Sequence, residues 1–144
     1  MRGILFTAVA VADLLLLSLT GMAQVHDSDS WHHDRDAYFQ GEHWHGRLFE
    51  RVKEDVEHVR ATTWPGGGDK FRLDRTIRDL DNLQAKFAKR VYDDSALQRV
   101  VDTLGRVASY NRMAPRERKI LDDDVAHLRE YREHHADWFL EHER

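Results

Sequence analysis

Apolar residues recur at steps of three and four along most of the chain, and this spacing constrains the fold more than any other feature. It places the apolar residues on one face of an α-helix. Four such stripes follow one another: Leu48, Phe49, Val52, Val56 and Val59; Leu73, Ile77, Leu80, Leu83, Phe87 and Val91; Leu97, Val100, Val101, Leu104, Val107 and Ala108; Ile120, Leu121, Val125, Leu128 and Tyr131. No window alternates polar and apolar residues as a strand does. The sequence therefore predicts an all-α protein.

Boundary signals separate the four stripes. Residues 64–68 (WPGGG) should end the first helix, since proline and glycine interrupt helices. Ser95 with Gln98 three residues later resembles a capping box and predicts the start of the third helix. Pro115 suits the first turn of the fourth. Because short connections favour antiparallel neighbours, we predict an up-down-up-down four-helix bundle over residues 41–144. Two long helical hairpins that dimerise are the alternative.

Residues 1–23 have the composition of a secretory signal peptide. A short basic start is followed by an apolar run over residues 3–19, with small residues at Gly21 and Ala23 before the predicted cleavage point. The run is short for a permanent span, and Asp13 lies within it. We therefore expect a periplasmic or secreted protein with no stable membrane span after signal cleavage. Anchoring in the inner membrane by an uncleaved signal is the alternative.

Residues 24–40 form a polar segment rich in histidine and aspartate that lacks apolar periodicity. Segments near a chain terminus are often poorly ordered unless something ties them down. We interpret this one as a flexible leader that docks through Trp31, Tyr38 and Phe39. The predicted organisation is thus a signal peptide, a leader and one helical domain.

The overall composition excludes several classes of function. The chain has 26 Asp and Glu against 22 Lys and Arg, for a formal net charge of −4, and the two signs are interspersed rather than pooled. This argues against nucleic acid as a partner. With no cysteine, the chain has no disulfide, thiolate metal site or lipid-modified cysteine. Ser95 and Ser109 lack a G-x-S-x-G context and no H-E-x-x-H occurs, so we predict no enzymatic activity.

Ten histidines are present, and eight lie near the two ends of the chain that follows the signal: His26, His32, His33, His43, His45, His134, His135 and His142. In an antiparallel bundle these two ends meet at one pole. We predict that His43, His45, His134 and His135 are candidate metal ligands there, since imidazole suits Zn, Cu or Ni. His45 and His135 should point toward the core. Solvated helix-end residues, or imidazoles that become charged together below about pH 6.5, are the alternatives. No other cofactor is predicted.

Two Asp-x-x-His pairs should lie at similar heights on neighbouring helices. They are Asp55 with His58 on the first predicted helix and Asp124 with His127 on the fourth. They loosely resemble the Glu-x-x-His pairs of ferritin-like di-iron bundles. Aspartate replaces glutamate, however, the pairs lie off the bundle axis, and two further inward glutamates are missing. We therefore interpret them as part of a salt-bridged surface.

Taken together, the sequence predicts an exported, non-enzymatic protein that acts by binding in the cell envelope. An interaction or stress-type role would involve a protein partner or self-association. The alternative is a His-rich metal-binding or metal-buffering periplasmic protein. Small exported helical proteins of envelope stress and metal resistance are similarly poor in cysteine and bear histidines. Their L-T-x-x-Q repeats are absent from this sequence, so membership is not inferred.

Overall fold

The structure, a computed structural model, describes residues 28–62, 68–110 and 112–141, and every regular element in these ranges is helical. The elements are α1 (Ser28–Tyr38), a short 3-10 helix (His45–Arg47), α2 (Leu48–Thr62), α3 (Asp69–Ala88), α4 (Asp94–Ala108) and α5 (Pro115–Glu141). The predicted all-α class is confirmed for this part of the chain. The predicted signal peptide lies outside the described residues. None of the described helices is both long enough and apolar enough to cross a bilayer.

Helices α2 to α5 enclose one apolar core. Each packs against two of the others: α2 and α4 both contact α3 and α5. Side chains of all four predicted stripes are buried in the core, joined by Trp44, Met113 and Trp138. The stripe spacing was therefore sufficient to identify nearly every core residue of these helices.

The end of α3 differs from the prediction. Val91 was assigned to the second stripe, yet it is 48% exposed. The helix ends at Ala88, and Arg90 adopts a left-handed conformation with φ 58°. The Val91 N–H then donates to the Lys86 carbonyl at 2.9 Å. This bond closes a Schellman-type C-cap, which turns Val91 away from the core.

The start of α4 also differs. The predicted cap was Ser95, but Ser95 lies exposed in the first turn of the helix. Asp93 is the N-cap: its Oδ1 accepts a hydrogen bond from the Ala96 N–H at 2.9 Å. The Lys86 ammonium contacts the other oxygen of the same carboxylate. Aspartate caps a helix as well as serine does. Asp93 occupies the N-cap position, where it also forms the ion pair with Lys86.

Helix α1 was not predicted. It lies within residues 24–40, where no apolar stripe is present, and Arg35 is its one buried side chain among those described. Trp31, Tyr38 and Phe39 pack against the core, as the sequence analysis predicted for docking of this segment. A turn at Gly41, with φ 80°, separates α1 from the 3-10 helix. Helix α2 begins at Leu48, directly after the 3-10 helix.

Candidate metal centre

Three helices bring metal-binding atoms together at one place. His32 belongs to α1, His58 to α2 and Glu117 to α5, and one ligand atom of each lies within 4.8 Å of the other two. His58 Nε2 is 3.4 Å from Glu117 Oε2, and His32 Nε2 is 4.0 Å from Glu117 Oε1. Bonds of about 2.0–2.1 Å in a tetrahedral zinc shell place neighbouring ligand atoms about 3.3 Å apart. The three side chains are thus close to the spacing that a bound ion requires.

The three ligand atoms are buried without hydrogen-bond partners. His32 Nε2, His58 Nε2 and Glu117 Oε2 are each shielded from solvent, and none makes a hydrogen bond in the part of the chain that the structure describes; both imidazoles have the Glu117 side chain as an ion-pair neighbour. Buried polar atoms are normally paired, and an unpaired one lowers stability. A cation held between the three side chains would satisfy all of them. This group is therefore a candidate metal centre.

The environment of His32 favours the form that binds metal. Burial lowers the pKa of His32, and the positive charge of Arg116 lowers it further, while Glu117 acts in the opposite direction. Only the neutral imidazole has a lone pair for a metal ion. At neutral pH the site therefore presents a neutral imidazole from α1 beside a carboxylate from α5.

Aromatic packing orients the two imidazoles. The Trp31 ring stacks on the His58 ring at 3.8 Å between centroids and an angle of 8°, and it meets the His32 ring edge-on at 5.0 Å. The guanidinium carbon of Arg51 lies 5.5 Å from the centre of the same Trp31 ring. Groups that hold a ligand in place contribute to metal affinity. Trp31 is positioned to play that part for both histidines.

A buried ion cluster lies one helical turn away from the candidate metal centre. Arg35 donates from Nε to Asp55 Oδ2 at 2.8 Å and from Nη2 to Asp124 Oδ1 at 2.9 Å. It also reaches the Ile120 carbonyl at 3.2 Å and Asp123 Oδ2 at 3.3 Å. Asp55 and Asp124 are fully buried. One guanidinium from α1 therefore bridges two interior carboxylates of α2 and α5.

The environment of Asp124 shifts its pKa strongly. Burial raises the pKa of Asp124 well above its usual range, and the charge of Asp55 and a hydrogen bond to it raise it further. Arg35 offsets part of this effect. Two carboxylates in one apolar site cannot both be charged without a large cost. The guanidinium of Arg35, which donates to both side chains, offsets part of the cost of placing them together in the interior.

The two Asp-x-x-His pairs therefore have a different role from the one predicted. The expected convergence of Asp55 and Asp124 is confirmed, but the surface location is wrong, because both side chains are fully buried. The expectation missed Arg35, which donates from α1 to both carboxylates. The two histidines separate: His58 joins the candidate metal centre, and His127 stacks on Phe39 at 4.0 Å.

The two predicted ligands nearest the core have other partners. His45 is buried, stacks on Trp138 at 3.8 Å, and places its Nδ1 2.9 Å from Glu141 Oε2. His135 is half-buried, stacks on Tyr92 at 3.8 Å, and has its Nδ1 3.0 Å from the Arg132 carbonyl. Each imidazole therefore packs flat against an aromatic ring and has a bonded nitrogen.

The other two predicted ligands, His43 and His134, are exposed. His43 lies edge-on to Tyr38 at 5.8 Å, and His134 has its Nδ1 3.9 Å from Asp137 Oδ2. Among the described residues, none of the four predicted ligands belongs to a group of three facing donor atoms. His26 and His142, also assigned to the pole, lie outside the described residues. A metal site at the pole stays a prediction.

The candidate centre contains one residue that the sequence analysis had not singled out at all. His32 was counted among the histidines of the pole, and His58 belonged to an Asp-x-x-His pair, but Glu117 was passed over. Finding the set required α1, whose only sequence signal is the spacing of Trp31, His32 and Arg35 on one helical face. This spacing of three residues is too common in polar segments to predict a helix by itself.

No protein-family model matches this chain, and it has no significant similarity to any curated protein or solved structure. A function must therefore be argued from the chemistry of the site itself.

Proposed function

We propose that this protein is an exported, non-enzymatic helical protein that binds one divalent transition-metal ion through His32, His58 and Glu117. The observation that carries the proposal is the meeting of three buried, unpaired ligand atoms from three different helices. Other buried polar atoms of the described residues also lack a hydrogen bond, Asp55 Oδ1 and His127 Nδ1 among them. These three differ because they face one another within the distance that a shared ion requires.

The ligand set indicates which ions are preferred. Two imidazoles and one carboxylate suit zinc, copper or nickel better than calcium or magnesium, which prefer oxygen ligands. The same set occurs in hydrolytic zinc sites, where a water molecule fills the fourth position. Side-chain exposures of 13% for His32, 15% for His58 and 14% for Glu117 leave little room for a substrate. We therefore favour binding over catalysis.

Calorimetry with Zn²⁺, Cu²⁺ and Ni²⁺ on protein purified without an affinity tag tests the proposal. We expect one ion per chain with sub-micromolar affinity. Loss of a coordinating side chain should exceed the 10- to 100-fold typical of supporting residues, so His58→Ala should weaken binding by about 100-fold or more. His33→Ala is the matched control, because His33 is the exposed neighbour of His32 on α1. Weak, non-saturating heat for the parent protein would contradict the proposal.

An activity assay separates binding from catalysis. The zinc-loaded protein should show no turnover of ester, peptide or phosphoester substrates above the level of the His58→Ala variant. Turnover that disappears in this variant would instead identify a bundle enzyme with a His and Glu metal centre.

The location and assembly of the protein are also proposals. Export rests on residues 1–23, and mass spectrometry of the protein from its native compartment should find an N-terminus at Gln24. We propose that α2 to α5 form an antiparallel, up-down-up-down four-helix bundle, which the short connections and the neighbours of each helix support. A protein partner in the envelope, or self-association, is checked by light scattering with and without metal.

A further inference from the structure

We propose that the metal ion acts as a clamp for α1, so that metal binding and docking of α1 onto α2 and α5 are one coupled event. This inference rests on the proposed function, because it concerns the same three ligands. It adds a consequence that ion binding alone does not imply: residues that never touch the ion control its affinity, and the ion controls the order of one helix.

Helix α1 has unusually little apolar surface to hold it in place. Each of α2 to α5 buries several apolar side chains, whereas no apolar side chain described for α1 is fully buried. Trp31 and Tyr38 are only half-buried. Burial of apolar area is the main favourable term in packing. Docking of α1 therefore depends on polar contacts to an unusual degree.

The polar contacts of α1 form two tiers, and each tier takes one residue from α1, one from α2 and one from α5. Arg35, Asp55 and Asp124 form the charged tier, and His32, His58 and Glu117 form the ligand tier. Residues three apart lie on the same face of a helix, as His32 and Arg35 do on α1. The same face of α1 is thus held at two points.

The charged tier is not sufficient to hold α1 firmly. Removing a guanidinium and two carboxylates from water costs about as much free energy as their mutual attraction returns. The ligand tier without an ion contributes buried atoms that make no hydrogen bond, with the imidazole nitrogens 4.0 and 3.4 Å from Glu117 oxygens. A bound ion converts this second tier from an unfavourable contact into a bonded one. We therefore expect α1 to be loosely docked without metal and firmly docked with it.

The coupling must work in both directions. When α1 leaves its place, His32 leaves with it, and only His58 and Glu117 remain for the ion. The ion therefore binds the docked state more tightly. A change that favours undocking lowers the apparent affinity for the ion, because that affinity is proportional to the fraction of chains in which α1 is docked. Couplings of this kind usually amount to between about fivefold and 150-fold.

Hydrogen exchange measured with and without Zn²⁺ tests the clamp in the unmodified chain. Zinc should slow exchange of the α1 amides by between about fivefold and 150-fold. Amides of α3 and α4, which hold no ligand, should change little and serve as the internal control. In His58→Ala the effect of zinc on α1 should disappear.

A second experiment measures the reverse direction of the coupling. Arg35→Met should weaken zinc binding by at least about fivefold although Arg35 is not a ligand. Arg35→Lys should restore part of the affinity, because lysine keeps the charge but loses the forked geometry. Arg47→Met is the matched control, since Arg47 is exposed. If Arg35→Met fails to fold, the hydrogen-exchange experiment decides alone.

The outcomes distinguish this inference from the proposed function. Zinc that binds and depends on His58, but leaves α1 exchange unchanged, would overturn the clamp and leave the metal site standing. Normal zinc affinity in a folded Arg35→Met variant would do the same. If zinc does not bind at all, both proposals fail together.

Discussion

Two groups of histidines in this protein look alike in the sequence and differ in the structure. The first is the candidate metal centre, where His32 and His58 direct unpaired nitrogens at Glu117. The second lies near the end of α5, where His45 and His135 stack on aromatic rings and have bonded nitrogens. Both groups combine imidazoles with nearby carboxylates. Only in the first do the ligand atoms lack other partners.

The difference shows what distinguishes a histidine that supports folding from one that is available to a ligand. A buried imidazole whose ring is stacked and whose nitrogen is bonded already contributes to the stability of the fold, as His45 does with Trp138 and Glu141. A buried imidazole without a bonded nitrogen lowers stability until something binds it. Four experiments test this distinction.

The largest effect should follow from removing the charge that holds α1 near the metal centre. Arg35→Met removes the guanidinium that donates to both buried aspartates, and breaking such a group costs about 3–5 kcal/mol of unfolding free energy. We expect a value near the lower end, since Arg51 Nη2 still lies 3.2 Å from Asp55 Oδ1. Urea denaturation measures the loss. Arg47→Met, at an exposed ion pair with Glu50, should change stability by no more than about 0.5 kcal/mol.

Metal should stabilise the first group and not the second. At a free zinc concentration of 100 times the dissociation constant, binding to the folded state adds about 2.7 kcal/mol. Thermal unfolding with and without zinc should show this gain in the parent protein and in His45→Gln. His58→Ala should lose it. Loss of the gain in His45→Gln but not in His58→Ala would place the site at the pole and refute the distinction.

Acid should act through the region where α1 docks. Burial and the nearby charge of Arg35 lower the pKa of His127, which stacks on Phe39. His127 therefore binds a proton at a higher pH in the unfolded chain than in the folded one. Its contribution to the unfolding free energy is complete above about pH 6.5 and declines as the pH falls toward the folded pKa. Unfolding free energies between pH 8 and 5 should fall less steeply in His127→Gln. Parallel curves throughout would contradict this assignment.

The smallest expected effect concerns the carboxylates of the two groups, Glu141 and Glu117. Glu141→Gln should lower the unfolding free energy by about 1 kcal/mol, since Glu141 hydrogen-bonds His45, and should leave zinc affinity unchanged. Glu117→Gln should weaken zinc binding and leave the unfolding free energy nearly unchanged. Denaturation and calorimetry on both variants provide the check. An unchanged zinc affinity in Glu117→Gln would remove it from the ligand set.

Much of the fold could be predicted, and the failures have specific physical causes. The stripes identified the core of α2 to α5 because apolar spacing reports directly on burial. The predicted cap at Ser95 was wrong because Asp93 competes for the same helix end and also contacts Lys86. The candidate site was less predictable. Its ligands come from three helices, and no single segment carries their pattern.

The helical class, the core and the absence of cysteine chemistry follow from the amino-acid sequence alone, since they depend on local spacing and composition. Tertiary structure decided which polar residues became buried. Arg35 lies in a polar segment with no apolar stripe, and its burial depends on Asp55 and Asp124, which are distant in sequence. The same holds for His32, His58 and Glu117. A polar side chain can enter the interior only where its partners meet it, and those partners are assembled by packing.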